Sequence, residues 1–507
     1  MVRAGRTASA CMPMRALQVR EVMSTAHNFP SPSIPLPKGE GRQADRSERS
    51  QERGQKMGRE VEELARFVAA TSHDDIPERV RSHAKLVLLD TLGVILAGSE
   101  RPEVRSLHEQ LARGAGMGAS VWARAWPHHD PRSAALLNGI AGRAIELCEG
   151  LRLVSGQAAM QVLPGILALS ESRASSGRTL LSALILGYEV AGRLCSVFTP
   201  RPLAHQNGQA SLLAAAAAGA RLCGLDATGI SRAMRISTTL LLTPSYTNVV
   251  AGATALNVAG GMSGFVGALA SELTLAGFEA QDDAIEEALG QMVGAGFDAS
   301  RLLDGLGSQW QITRNYFRLY ACCNPIHPAL DCLRAALAEL QPAPDAIERI
   351  EAATYRFAAV MRNPQPPNFF ASKYSLPHAA AVLAVRGDLD HAAMDDSALN
   401  DPAIAALRAR VQVSEDPAMS AVAPRLRPAR VTVTLKDGRQ ATHACESHRG
   451  DFNDPFQPEE LHAKFRGLAG LVLNDEGIAY AESLCADIDH VPDMRDAIAE
   501  LGRHARR

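Results

Sequence analysis

The pattern of apolar and polar positions divides the chain into a long helical stretch, a shorter stretch with strands, and a helical end. From Glu60 to about Leu340, apolar residues recur at intervals of three and four, in segments such as VEELARFVAAT and GRTLLSALILGYEVAGRLCSVF. This is the helical period. Several segments are apolar on more than one face and rich in Ala and Gly, so we expect a closely packed, all-helical core.

The periodicity changes near Pro342. Residues 347–357 alternate as a strand does, and residues 430–445 predict two strands joined at Asp437-Gly438, a strong hairpin signal. The segments KYSLPHAAAVLAV and DPAIAALRARV between them are predicted to be helices.

The sequence therefore predicts a mainly α protein with a smaller α+β part. We expect a helical domain at 57–340, an α+β lid domain at 341–450, and C-terminal helices at 451–507 that pack back on the helical domain.

Residues 1–56 differ from everything after them, because Arg, Ser, Pro and Gly abound and apolar periodicity is absent. Three interpretations stay open. The segment is a disordered tail, an untranslated extension upstream of a true start at Met57, or a transit peptide. The last is suggested by four arginines within residues 1–20 and no acid before Glu21.

Composition and charge limit the kinds of molecule that the protein is expected to bind. The chain has 507 residues, 46% of them hydrophobic and 21% charged, which is typical of a soluble globular protein with more than one domain. A formal charge of −3, with no basic stripe, argues against nucleic acid or a membrane surface as partner. The apolar stretches, such as 212–220, are shorter than the ~20 residues that a bilayer requires, so no membrane span is expected.

Nine cysteines are scattered without a CxxC pair, which predicts no zinc or redox site and fits a cytoplasmic protein. The expected partner is a small molecule or a second copy of the chain.

One stretch, YFRLYACCNPIHPALD at 316–331, places two adjacent cysteines, a His-Pro and an Asp after an aromatic and basic strip. It resembles the KPYPCC..THPAID signature of the MmgE/PrpD family, the 2-methylcitrate dehydratase-like proteins. The segment AHQNGQASLLAAAAAGARLCGLD at 204–226 is similar to the family block H.TGT.GALGAAAAAARLLGLD. Similar blocks follow in the family's order from about Glu60 to about Gly470.

The resemblance implies a homodimer with a pocket between the helical domain and the lid. It also implies a lyase or isomerase that uses no cofactor and no metal and acts on a small polycarboxylate. Dehydration of 2-methylcitrate, decarboxylation of cis-aconitate and epimerisation are known outcomes in the family. Such chemistry needs proton-transfer groups and cations for the carboxylates.

The resemblance implies three catalytic candidates: His205, Glu146 and His327. Glu146 and Glu149 take the places of an acidic DFDD-like run. His205 keeps the motif histidine near a helix start, where a lowered pKa favours a neutral imidazole that could act as a base. His327 either caps a helix start or faces the pocket.

The implied substrate-binding residues are Gln157, Asn257, Arg318, Lys373 and Arg449. Arg318 replaces the usual lysine and has a planar fork suited to a carboxylate. Gln157 stands where the family usually has a histidine, and Thr254 and Asn257 stand where it has a lysine and a histidine.

We therefore expect a lyase that abstracts a proton next to a carboxylate. The replacements at 157, 254 and 257 leave two alternatives open, because none of the three side chains, Gln, Thr and Asn, shuttles a proton near pH 7. One is an epimerase or isomerase on a similar acid, and the other is a non-catalytic, ligand-binding relative.

Overall fold

The structure is a computed structural model that describes residues 59–111, 118–154, 156–201 and 203–507. The segment predicted as a tail, 1–56, lies outside the described residues, so the interpretations of it stay predictions.

Helices make up most of the described chain. They are α1 (59–70), α2 (Glu78–Ser99), α3 (Pro102–Leu111), α4 (Pro131–Ala144), α5 (Ala159–Ser172), α6 (Gly177–Val197), α7 (Ala210–Leu222), α8 (Ala227–Ser237), α9 (Tyr246–Val250), α10 (Ala255–Leu275), α11 (Ala284–Glu287), α12 (His327–Leu340), α13 (Arg356–Ala359), α14 (Phe369–Ser372), α15 (Leu376–Arg386), α16 (Pro402–Arg408), α17 (Pro417–Val422), α18 (Pro458–Ala469), α19 (Asp475–Ala486) and α20 (Met494–Gly502).

The strands are few and mostly short. They are β1 (Ala119–Ser120), β2 (His128–His129), β3 (Gly150–Leu151), β4 (Phe198–Pro200), β5 (Gly294–Phe297), β6 (Asn315–Tyr316), β7 (Ile347–Thr354), β8 (Val411–Glu415), β9 (Ala429–Leu435) and β10 (Gln440–Cys445). The protein is mainly α with a smaller α+β part, as the sequence predicts.

Several helices begin where a side chain can accept a backbone N–H of the first turn. Asp130 accepts from the first turn of α4, Ser176 from α6 and Asp226 from α8. At α18, Gln457 and Glu460 form a reciprocal capping box. Asn257 is not the cap of α10, because the helix begins at Ala255 and Asn257 lies within its first turn.

Small residues bring the central helices unusually close. α10 packs on α4, α5 and α7. A methyl group added to Gly219 of α7 would lie 2.1 Å from the carbonyl oxygen of Gly267 of α10, and one added to Gly165 of α5 would lie 2.7 Å from that of Gly264. The Ala- and Gly-rich segments therefore serve tight helix packing.

Two described helices, α6 and α10, are long and apolar enough to cross a membrane by length and composition. In α6, 94% of the apolar window is buried against the rest of the protein, and in α10 the figure is 61%. Burial in the helical core accounts for the apolar character of α6.

The four-stranded sheet has the order β10-β9-β7-β8. β9 and β10 form the predicted antiparallel hairpin, and Gly438 in its turn has a φ of 88°, a conformation that favours glycine. β8 pairs parallel to β7. The sequence prediction missed β8, because the helical segment DPAIAALRARV ends in the structure at Arg408 and the strand begins at Val411.

A second core lies around this sheet, where α12 packs on β9 and β10. The C-terminal helix α18 packs on α2, and Phe465 joins the core of the helical region. Strands β3 and β6 pair between the helical core and the sheet. Leu151 of β3 and Tyr316 of β6 line the cavity described below.

The close approach of α7 and α10 gives a stability test. Gly219→Ala should lower the free energy of unfolding by about 1–3 kcal/mol, since the new methyl group must push two packed helices apart. The thermal unfolding midpoint would measure it. Gly467→Ala in α18, where nothing lies within 4 Å of the added methyl group, should be neutral or slightly stabilising. Equal midpoints for the two variants would contradict tight packing at Gly219.

Candidate active site

A cavity of about 580 Å³ opens between the end of α4, the loops before α5 and α7, and the segments that surround the sheet. Its polar lining includes Arg143, Glu146, Gln157, His205, Tyr316, Arg318, Asn324, Tyr355, Tyr374 and Arg427. Its apolar lining includes Leu151, Val154, Pro325, Phe357, Val360, Ala423 and Pro424.

The carboxylate of Glu146 lies at the buried end. Arg318 Nη1 donates to Glu146 Oε1 at 2.5 Å, and Tyr374 Oη donates to Glu146 Oε2 at 2.8 Å. Arg143 pairs with the same carboxylate and donates from Nη2 to Tyr374 Oη at 2.7 Å. The side chains of Arg143, Glu146 and Arg318 are each 1% exposed. Four side chains thus form one desolvated, charge-assisted network.

Local chain geometry positions this network. Arg143 is in the last turn of α4, and the chain then turns through a left-handed conformation at Glu146, with φ 53°. Arg318 follows strand β6, which pairs with β3. Arg318 Nη1 also donates to the carbonyl oxygens of Glu146 and Cys322, at 2.9 and 3.2 Å. A left-handed non-glycine residue costs free energy, and the contacts around Glu146 offset that cost.

The buried lining carries a positive charge excess. Arg427 is a third buried guanidinium, which donates to Asn324 Oδ1 and to the carbonyl oxygen of Arg152. Among the described residues of the lining, these three guanidiniums stand against the single carboxylate of Glu146, which leaves two positive charges. Arg356 at the rim is paired with Glu415. The cavity is therefore suited to a small dianion.

His205 is neutral and has one defined tautomer. Burial, with a smaller contribution from the charge of Arg143, lowers the pKa of His205 to about 3. Its Nδ1 accepts the backbone N–H of Asn207 at 3.2 Å, so the ring proton must lie on Nε2. In this state the histidine can donate a hydrogen bond but has no free nitrogen to take a proton.

The structure brings together Glu146, Gln157, His205 and Arg318, which all line the cavity. Gln157 Oε1 is buried and has no hydrogen-bond partner among the described residues. An amide with an unsatisfied acceptor at a cavity wall is suited to orienting a ligand that can donate. The roles of these four residues stay predictions.

Lys373 and Arg449 lie outside the lining. Lys373 is fully buried, donates from Nζ to the carbonyl oxygen of Met394 at 2.6 Å and lies 4.1 Å from the centre of the Phe369 ring. Burial lowers the pKa of Lys373 to about 7. Arg449 is half exposed and paired with Glu460. The structure thus brings neither cation to the cavity and gives each another partner, and substrate binding by Lys373 and Arg449 stays a prediction.

His327 and Asn257 also lie outside the lining. His327 begins α12 and holds the carbonyl oxygen of Cys322 through Nε2 at 3.1 Å. Burial lowers the pKa of His327 well below its ordinary value. This contact lies in the segment before α12 and does not cap the helix, which has no side-chain cap. A catalytic role for His327 stays a prediction. Asn257 is buried in α10 with its amide unpaired among the described residues.

Sequence reasoning missed Arg143, Tyr374, Arg427 and Tyr246 as parts of the site. The sequence contained a signal for two of these residues, Arg143 and Tyr374. Arg143 precedes Glu146 by three residues, the spacing of a helical ion pair. Tyr374 directly follows Lys373 in the segment ASKYSLPHAAA, where the turn before α15 directs the tyrosine and not the lysine to the cavity.

The two adjacent cysteines fit packing better than catalysis. Burial raises the pKa of both Cys322 and Cys323 to about 12, so both are thiols near pH 7. Among the described residues, no group of three or more His, Cys, Asp or Glu side chains could hold a metal ion. The prediction of a reaction without metal or cofactor stays a prediction.

Glu149, the second acid of the sequence motif, has a structural place beside the cavity. It accepts hydrogen bonds from the backbone of Ala159, from Tyr188 Oη at 2.5 Å and from Asn315. Glu149 does not line the cavity. Burial raises the pKa of Glu149 to about 7, against the lowering effect of these donors.

The protein is mainly helical, and its cavity with buried guanidiniums is suited to a small anionic ligand. Comparison with known proteins then gives the family. Residues 62–298 match the MmgE/PrpD N-terminal domain, and residues 320–486 match the MmgE/PrpD C-terminal domain. The chain belongs to the MmgE/PrpD family, which confirms the resemblance found in the sequence.

Curated relatives are similar over most of their length. Cis-aconitate decarboxylase of Aspergillus terreus is 24% identical over 468 residues, which are 85% of this chain and 94% of that protein. The human cis-aconitate decarboxylase is 24% identical, over 86% of this chain and 92% of that protein. Cis-aconitate decarboxylase-like protein oryM of Aspergillus oryzae is 22% identical, over 87% and 97%. The family and these names support an enzyme of lyase type.

The raised pKa of Glu149 gives a pH-dependent prediction. A carboxyl with a folded-state pKa of about 7 and an ordinary unfolded-state value near 4.5 favours folding when protonated. Its contribution is therefore full below about pH 4.5 and is lost as the pH rises to about 7. Glu149→Gln should gain roughly 3 kcal/mol of stability relative to wild type between pH 5 and 8.

Urea unfolding at several pH values would measure this difference, because the other titrating groups are common to both proteins. Glu459→Gln, the same change at an exposed helix start, is the matched control and should follow the wild type. A difference between Glu149→Gln and wild type that does not change with pH would contradict the assignment.

Proposed function

We propose that this protein is a lyase that removes CO₂ from a small, unsaturated polycarboxylic acid. The observation that carries the proposal is the composition of the cavity. Its described lining offers an excess of guanidiniums, the phenol of Tyr374 and a histidine that donates, and the one carboxylate among these described residues, Glu146, already accepts from Arg143, Arg318 and Tyr374. Decarboxylation needs these groups, whereas dehydration and epimerisation begin with a free base.

The first step is loss of CO₂, which leaves negative charge on the substrate. When the bond to a carboxylate carbon breaks, its electron pair enters the conjugated system of the substrate and reaches an adjacent carboxylate. Arg143 and Arg318 are fixed and desolvated where that charge would develop, and the N–H at His205 Nε2 provides a further donor. Preorganised donors of this kind stabilise a transition state without reorganisation.

The second step is protonation of carbon. Tyr374 is the candidate donor, because burial raises the pKa of its phenol above the ordinary value and keeps it protonated. Its O–H, which Glu146 accepts in the free protein, would turn to the substrate carbon for this step. Arg143 donates to Tyr374 Oη and so would stabilise the phenolate left behind. One proton from solvent then restores the tyrosine, so the overall reaction consumes one proton and releases one CO₂.

The names of the relatives support the same reaction class, since several are cis-aconitate decarboxylases. Their identity to this chain is 22–24%, so the substrate is not transferred from them. The predicted homodimer and cytoplasmic location also stay proposals. Light scattering after gel filtration would test the dimer.

The primary experiment uses the full-length protein with ¹³C-labelled cis-aconitate in deuterated buffer, followed by NMR. We expect loss of labelled CO₂ with one deuterium on the product carbon. Deuterium exchange without CO₂ loss would indicate an isomerase. Hydration or loss of water would indicate a dehydratase. Saturable binding with no turnover would indicate the ligand-binding relative. Each of these last three outcomes would overturn the proposal.

Tyr374→Phe tests the proton donor. It should lower kcat by about 10²-fold or more, since a positioned general acid typically contributes that factor. Tyr480→Phe, a tyrosine outside the cavity, is the control and should keep wild-type kcat. A Tyr374→Phe variant with an unchanged rate would reassign Tyr374 to structure.

His205 offers a sharper test of base against donor. His205→Ala should cost about 10²–10³ in kcat, the usual loss for one oxyanion donor. His205→Gln keeps a side-chain N–H and should recover part of that loss, whereas a glutamine cannot replace a base. Equal losses in the two variants would favour His205 as the base that the sequence suggested.

A further inference from the structure

The cavity is charged at its buried end and apolar at its open end. Arg143 and Arg318 are 1% exposed. Phe357 and Val360, which line the same cavity, are 43% and 52% exposed. Large apolar side chains that are exposed together at the mouth of a pocket are typical of a ligand contact.

An aromatic wall joins the two ends. The rings of His205 and Tyr246 are stacked, with centroids 5.6 Å apart and an interplanar angle of 12°. The ring of Tyr246 also packs against the ring of Phe357, with centroids 5.3 Å apart. This wall runs from a buried histidine to an exposed phenylalanine. Leu151 and Pro424 provide further apolar lining.

The space exceeds what a six-carbon acid needs. The cavity of about 580 Å³ lies within the range of about 300–1,000 Å³ that holds drug-sized ligands. A substrate of citrate size that binds the guanidiniums and His205 would leave the outer part of the wall, Tyr246 and Phe357, in contact with water. Apolar surface in water gains free energy when an apolar group covers it.

We propose that the substrate is a dicarboxylate or tricarboxylate with an apolar substituent longer than methyl, such as an alkyl chain. Its carboxylates bind Arg143 and Arg318, and its substituent lies along Tyr246 and Phe357 toward the open end. This inference rests on the proposed function for the reaction but not for the binding.

The test is a homologous series. Cis-aconitate and its methyl, butyl and hexyl derivatives are given to the full-length protein, and CO₂ release and calorimetric binding are measured. We expect kcat/KM and affinity to rise by about threefold to fourfold for each buried methylene group. The rise should level off once the chain passes Phe357 and Val360.

Variants at the mouth locate the substituent. Phe357→Ala and Val360→Ala should each reduce the ratio of kcat/KM, or of affinity, between the hexyl and the unsubstituted acid by several-fold. Phe278→Ala is the matched control, since Phe278 is 58% exposed and does not line the cavity. It should keep the wild-type ratio.

The outcomes separate this inference from the proposed reaction. Turnover of cis-aconitate with no gain along the series would overturn the substrate class and leave the decarboxylation standing. Affinity that rises with chain length but without CO₂ release would support the substrate class and overturn the reaction. A gain along the series that Phe357→Ala and Val360→Ala leave intact would overturn the placement of the substituent.

Discussion

The candidate site depends on the buried carboxylate of Glu146. Arg143, Arg318 and Tyr374 come from three separate parts of the chain, and each is held through this one group. Removing one partner of a buried charged network typically costs 3–5 kcal/mol, because the remaining charges stay desolvated. That is a large share of the 5–15 kcal/mol by which proteins are stable. The same contact therefore builds the cavity and joins the segments around it.

This arrangement limits what the neighbouring groups can do. A carboxylate that accepts from three donors is poorly placed to take a proton from carbon, and the guanidiniums it holds stay charged for a ligand. The positive charge also acts on His205, where it adds to burial in lowering the pKa of the imidazole. The site thus combines fixed cations with neutral donors, an environment that stabilises negative charge formed during a reaction.

Local sequence patterns predicted most of the fold because hydrophobic period and turn chemistry are local properties. The helical core, β7 and the hairpin at Gly438 all carry such signals. β8 was missed because its five residues follow a helix without a break in apolar pattern, and its pairing with β7 is a tertiary contact. Family blocks located Glu146 and Arg318 for the site. They could not show that Lys373 faces Met394 while the next residue, Tyr374, reaches the cavity, because one position along a turn reverses the direction of a side chain.

The residues at 157 and 257, which suggested a relative without activity, are compatible with an enzyme once their positions in the structure are known. Gln157, which the family resemblance places at a histidine position, cannot shuttle a proton, yet it lines the cavity and leaves an acceptor free for a ligand. Asn257 lies outside the lining, so its identity says little about the chemistry. A reaction that starts with departure of CO₂ requires no base in the first step, and loss of a proton acceptor is then compatible with turnover. In the proposed decarboxylation, loss of Tyr374 or Arg143 would not be compatible with turnover, since protonation and charge stabilisation are the two tasks that remain.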